Sequence, residues 1–226
     1  MAASRATTLY DPVFEHDSCG FGLVAQIDGR ASATLVDTAF AALAKLSHRG
    51  GVNADGVSGD GCGVLIHRPA DWLRALAAAD GLEPGERFAA GLVFLDPAGG
   101  EAAASEFERH LEEAGLVLAG WRDVSINEKA CGPLASSTCP RVRQVFVNAA
   151  AGMDDDAFEC ALFRARRRAE AALTNDPQFY VVSLSAHVIG YKAMAAPGRL
   201  RDVFADLAHP ALTSDAVVFH QRFSTN

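Results

Sequence analysis

The chain has 226 residues, 50% hydrophobic and 21% charged, enough for one large domain or two small ones with a real core, and too apolar for disorder. Twenty Lys and Arg against 28 Asp and Glu leave a formal charge of −8, which argues against nucleic acid as a partner, since nucleic-acid binders carry a basic excess or stripe. Five scattered cysteines, none in a Cys-x-x-Cys pair, give neither a disulfide framework nor a zinc-ligand spacing. With no secretory signal and no run of about eighteen apolar residues, no membrane partner is expected and a cytoplasmic location follows by default.

Residues 1–18 are small and polar, then acidic at Asp11, Glu15 and Asp17, and read as a removable leader. From Phe21 the pattern alternates, with Phe21, Leu23, Ala25 and Ile27 on one face, and stops at Asp28-Gly29: a half-buried strand closed by a turn dipeptide. Ser32 or Thr34 can cap a helix in which Leu35, Val36, Ala39, Phe40, Leu43 and Leu46 recur at helical spacing to about His48. A glycine-rich loop, His48 to Gly61, precedes the short apolar strand Val64-Leu65-Ile66. A helix is predicted from Pro69 to a stop at Asp80-Gly81, a strand over Phe88 to Leu95, a helix over Glu101 to Ala114 closed by Gly115, and a strand over Leu116 to Val124. Residues 125–140, with two prolines, read as loop. Val142 to Val147 is a strand, a helix starts in Asp154 to Asp156, Tyr180 to Val188 reads as one strand, Leu200 to Ala208 as a short helix, and Val217 to Phe223 as the last strand. The elements lack a regular βαβ beat, which favours sheet layers covered by helices, an α+β arrangement, over a doubly wound sheet.

Chemistry concentrates at few places. Cys19 stands at the boundary between leader and first strand, so cleavage after Ser18 would give it a free α-amine. A thiol is a strong nucleophile, and an α-amine of pKa about 7.7–8.0 can accept its proton near neutrality; while Ser18 is attached, that nitrogen is an amide and cannot. The bland reading of a lone cysteine is a buried core residue. Gly20-x-Gly22-x-x-Ala25 matches a loose dinucleotide fingerprint but lacks the strand before it and the helix after it, and there is no Gly-Lys pair for a P-loop. Arg49, opening the glycine-rich loop beside Gly50, and Arg222, ending the last strand, are candidates to grip a carboxylate by paired hydrogen bonds. His48 and His220 adjoin them and are either catalytic or hydrogen-bonded structural residues, the latter being the commoner role. The cluster Arg164, Arg166, Arg167 and Arg168 reads as a solvated helix face.

Cys19-Gly20-Phe21-Gly22, Leu46-Ser47-His48-Arg49-Gly50, Ala54-Asp55-Gly56, Gly59-Asp60-Gly61-Cys62-Gly63, Gly120-Trp121-Arg122-Asp123-Val124 and Phe219-His220-Gln221-Arg222-Phe223-Ser224-Thr225-Asn226 together resemble the large subunit of glutamate synthase, from about Leu9 to the end of the chain. The resemblance implies a class II glutamine amidotransferase region with a four-layer αββα sandwich of the N-terminal-nucleophile hydrolase type. It implies a propeptide over 1–18, a partial amidotransferase domain over 19–226, Cys19 as the nucleophile toward glutamine, Arg222 on the substrate α-carboxylate, and Arg49 with Gly50 in the substrate pocket. No cofactor or metal is implied in this segment; FMN and an iron–sulfur cluster belong to the full-length protein, with the synthase portion and a small glutamate synthase subunit as partners. In the family the chain continues into a His-Asn-Gly-Glu segment that supplies the oxyanion hole, so the sandwich is expected to be incomplete at the C-terminus. The alternatives are a catalytically inactive amidotransferase-like module, expected to release little or no ammonia from glutamine as an isolated chain, and a stand-alone thiol amidohydrolase with another substrate.

Overall fold

The computed structural model describes residues 20–222. The leader 1–18, Cys19 and Phe223-Ser224-Thr225-Asn226 lie outside the described residues. Eight strands and six α-helices follow one another within them: β1 (Gly20–Ala25), α1 (Ala33–Lys45), β2 (Cys62–His67), α2 (Ala70–Ala79), β3 (Phe88–Leu95), α3 (Glu101–Glu113), β4 (Val117–Asp123), α4 (Pro133–Ser136), β5 (Arg141–Asn148), α5 (Asp155–Ala172), β6 (Tyr180–Ser185), β7 (Val188–Ala193), α6 (Leu200–Val203) and β8 (Ala216–Gln221). The strands form two four-stranded sheets, in the order β1-β8-β2-β7 and β4-β5-β3-β6, and every pairing is antiparallel. This is the α+β architecture expected of an N-terminal-nucleophile-type amidotransferase.

The helices arise where caps and periodicity agree. The Ser32 hydroxyl accepts from the Leu35 amide at 3.1 Å and starts α1, and the Asp154 carboxylate accepts from the Ala157 amide at 2.8 Å and starts α5. Packing then sorts the apolar faces into two cores. Under α3 and α5, Phe107, Leu111, Phe158 and Leu162 bury against Val93, Val145 and Val181 of the second sheet. The other core joins α1 and α2 to Val64, Ile66, Tyr191, Val217 and Phe219 of the first sheet and to Phe88, Ala90, Leu92 and Phe146 of the second. Arg122 crosses between the sheets: its Nε donates to Gln144 at 2.5 Å and its Nη2 to Asp206. Asp206 also accepts from the Tyr191 hydroxyl at 3.0 Å, and its carbonyl from the Trp72 indole at 3.1 Å, so a buried guanidinium is neutralised and hydrogen-bonded together, as burial of a charge requires.

Three sequence expectations are corrected. The apolar stripe of β1 faces outward: Phe21 is 76% and Leu23 62% exposed. The opposite face, Gly20, Gly22 and Val24, is the covered one, buried at Gly20 and half-buried at the other two, and the Phe219 ring occupies the space over Gly22, where an added Cβ would stand 2.4 Å from its Cζ. Residues 180–188 are not one strand; β6 turns at Ser185, whose hydroxyl accepts from the His187 and Val188 amides, and β7 returns as a separate strand. Within 125–140 there are a 3-10 turn at Glu128–Ala130 and the helical turn α4.

Candidate active site

Strand register gathers the candidate residues at one end of the first sheet. Gly20 pairs with Gln221 and Gln221 with Cys62, so the residue after Cys19 lies beside the residue before Arg222. Arg49 reaches the same point from the other direction. It closes the 3-10 turn Leu46–Arg49 that follows α1, and a Cβ on Gly20 would meet its Cγ at 3.1 Å and Leu46 Cδ1 at 3.5 Å; the stem of Arg49 therefore lies against the backbone of Gly20. His48 Nδ1 is 3.0 Å from the Lys45 carbonyl oxygen. A carbonyl can only accept, so this nitrogen carries the proton and His48 is a structural donor. His220 carries a depressed pKa from burial and then from the nearby Lys192 charge, which favours the neutral ring at neutral pH.

Gly50 sits on Gln221. A Cβ there would stand 2.0 Å from Gln221 Nε2, so glycine lets the loop pass over that amide where any larger residue would have to shift one of the two. Gln221 is 1% exposed, and its Oε1 has no hydrogen-bond partner in the structure. The loop then runs out and back. The Gly51 amide donates to Asp60 Oδ2 at 2.7 Å, Val52 bridges Gly59, and the Asn53 amide donates to the Ser58 carbonyl at 2.8 Å. At its tip the Asp55 carboxylate accepts from the Ser58 hydroxyl at 2.5 Å and from the amides of Val57, Ser58 and Leu134. The Ser58 hydroxyl bond and then the Val57 amide hold this carboxyl well below the usual carboxylate range, against a smaller desolvation effect. On the far side the Arg222 amide donates to the Gly61 carbonyl at 2.7 Å, with Arg222 itself in the left-handed region at φ 74°. That conformation is uncommon for a residue with a Cβ.

The buried thiols among the described residues, Cys62 and Cys131, are unsuited to nucleophilic work. Burial first, then Cys131, pushes the Cys62 thiol up to about 12, and burial pushes Cys131 up to about 11; a thiol in such a state is protonated and inert. Cys160 is exposed on α5, in the helix layer over the second sheet. No group of three or more His, Cys, Asp or Glu side chains able to hold a metal exists among the described residues, and among them no helix is long and apolar enough to cross a membrane.

The Glutamine amidotransferases class-II family profile matches residues 19–226. This chain belongs to that family. Over 226 residues it is 36% identical to the glutamate synthase [NADPH] large chain of Bacillus subtilis, covering 98% of this chain and 15% of the relative. It is also 36% identical to the glutamate synthase [NADPH] large chain of Azospirillum brasilense over 231 residues, with 100% of this chain and 15% of the relative covered. Ferredoxin-dependent glutamate synthase 2 of Synechocystis is 37% identical over 222 residues, 95% of this chain and 14% of the relative. The amidotransferase thus spans about 15% of the length of these curated relatives.

Of the residues predicted from sequence, Arg49 lies against Gly20, Gly50 lies over Gln221, the strand partner of Gly20, and Arg222 follows Gln221 at the end of β8; Cys19 lies outside the described residues. Sequence reasoning missed Gln221 and Asp60. A signal existed for each: strand alternation puts Gln221 on the buried face with Val217 and Phe219, and Asp60 is the one side chain in Gly59-Asp60-Gly61 able to accept a hydrogen bond.

Proposed function

We propose that this amidotransferase is the glutaminase part of a glutamate synthase, acting through Cys19 once residues 1–18 are removed. One observation carries the reading: the backbone of Gly20, directly after Cys19, is flanked by Arg49 on one side and by the strand leading into Arg222 on the other. A small substrate bearing a carboxylate and a side-chain amide can be held there by guanidinium groups while its amide carbon faces the thiol.

The chemistry balances without a cofactor. The Cys19 sulfur, its proton taken by its own α-amine, adds to the γ-carboxamide carbon of glutamine. The tetrahedral adduct collapses by breaking the C–N bond, and the nitrogen leaves as ammonia with the proton returned from the α-ammonium. The γ-glutamyl thioester is then cleaved by water, giving glutamate and the free thiol. Arg222 binds the α-carboxylate, and Arg49 with Gly50 shapes the pocket. None of these steps calls on FMN or an iron–sulfur cluster. Both groups, the synthase chemistry and a small-subunit partner belong to a longer parent protein.

The test is glutamine hydrolysis by the full-length parent. Cys19→Ala is expected to abolish ammonia release while the protein remains folded. A Cys19→Ala protein that keeps the parent rate overturns the assignment.

A further inference from the structure

Two separate segments carry the proposed substrate-holding residues, Arg49-Gly50 after α1 and Arg222 after β8, and something must fix the distance between them. Gly59-Asp60-Gly61 is bonded to both. Through its side chain, Asp60 Oδ2 accepts from the Gly51 amide at 2.7 Å, and a Cβ on Gly51 would stand 3.0 and 3.1 Å from the two carboxylate oxygens, so the carboxylate lies flush against the backbone next to Gly50. The Asp60 amide donates back to the Gly51 carbonyl at 3.3 Å. One residue later, the Gly61 carbonyl accepts from the Arg222 amide at 2.7 Å, from a backbone turned to φ 103° that glycine adopts without strain. One residue earlier, Gly59 is buried, and an added Cβ would meet the backbone of Ala195 and Ala196 at 3.0 Å. The tripeptide is thus seated on the rest of the fold and holds one arginine-bearing segment with each arm.

We infer that Asp60 is a positioning residue for glutamine binding: its carboxylate oxygen, fixed by Gly59 and Gly61, sets the separation of Arg49-Gly50 from Arg222. The inference rests on the reading of those arginines given above. It assigns the work to the location of a hydrogen-bond acceptor and not to a negative charge, because the partner of Asp60 is a neutral backbone amide. Two conservative changes separate location from charge. Asp60→Asn keeps an oxygen at the same distance without the charge; Asp60→Glu keeps the charge and moves the oxygen by one methylene.

The experiment is steady-state glutamine hydrolysis by the full-length parent carrying each variant. Asp60→Glu and Asp60→Ala are expected to raise KM for glutamine about tenfold or more with kcat within about threefold, and Asp60→Asn to stay within about threefold on both, since a misplaced binding group is lost equally from ground and transition states. Should Asp60→Ala fail to fold, the Glu and Asn pair decides. The inference is overturned if Asp60→Glu leaves KM unchanged, or if Asp60→Asn is as impaired as Asp60→Glu. Arg49→Ala and Arg222→Ala, measured alongside, separate the two levels. If neither raises KM, the reading of the arginines fails; if they raise it and Asp60→Glu does not, only the role of Asp60 fails.

Discussion

Gly50 and Gln221 occupy a space that holds only one side chain. With 2.0 Å between a Gly50 Cβ and Gln221 Nε2, Gly50→Ala must displace either the loop or the amide, an overpacking cost of about 1–3 kcal/mol. If the amide is the obstacle, Gln221→Ala in the same chain removes it. Denaturant unfolding of the two single variants and the double variant is expected to give a favourable coupling of about 1 kcal/mol or more; additive effects would show that the loop does not rest on Gln221. At this scale the sequence was legible where residue type alone carries meaning. Arg49, Gly50 and Arg222 stand out by charge and by glycine density, and the structure sets Arg49 against Gly20 and Gly50 against Gln221, the residue before Arg222. Gln221 does not stand out, because an amide in a strand is ordinary until the register shows which loop lies over it.

The glycine-rich loop and α4 act as one element because Asp55 bonds to both. Its carboxylate accepts from Ser58 and Val57 on its own loop and from the Leu134 amide in the first turn of α4, while the Ala135 amide donates to the Ser58 hydroxyl at 3.2 Å. The folded carboxyl is held below its unfolded value, so its stabilisation is fully present above the unfolded pKa of about 3.9 and drains away as pH falls below that toward the folded value. Asp55→Asn is therefore expected to melt at a lower temperature than the parent at pH 7, with the gap narrowing below about pH 4. A gap that stays constant from pH 7 to pH 3 would show that the charge is not what the bonds hold. Residues 125–140 read as loop in sequence because α4 is one turn long, and its support, Asp55 and Ser58, comes from elsewhere in the chain. The β6–β7 turn was hidden for the same kind of reason. It has no Gly, Pro, Asn or Asp to mark it, and it is made by Ser185 together with Glu159 of α5, which accepts from the Ser185 hydroxyl and the Ala186 amide. By contrast Phe88 to Leu95 matches β3 to the residue, since a continuous apolar run between two turn signals needs no distant partner to define it.

Over the whole molecule, local pattern gave the class of fold and misassigned one face. The β1 stripe of Phe21 and Leu23 continues through register onto Val218 and Leu65, all four of them exposed. Alternation in β1 correctly marked a strand but could not say which side is covered, because burial of the other side depends on Phe219, some two hundred positions away, filling the room that Gly22 leaves. The fold places the proposed site at the end of this sheet, where β1, β2 and β8 meet, and family membership over residues 19–226 agrees with motifs spread along the whole length. The proposal that unites these observations is a thiol at Cys19 forming a γ-glutamyl thioester. The direct measurement is acid-quenched peptide mapping of the full-length parent mixed with glutamine. The account predicts a γ-glutamyl adduct on a peptide whose first residue is Cys19, absent from Cys19→Ala; turnover of glutamine by a chain that still begins at Met1, with the adduct on another residue or on none, would contradict it.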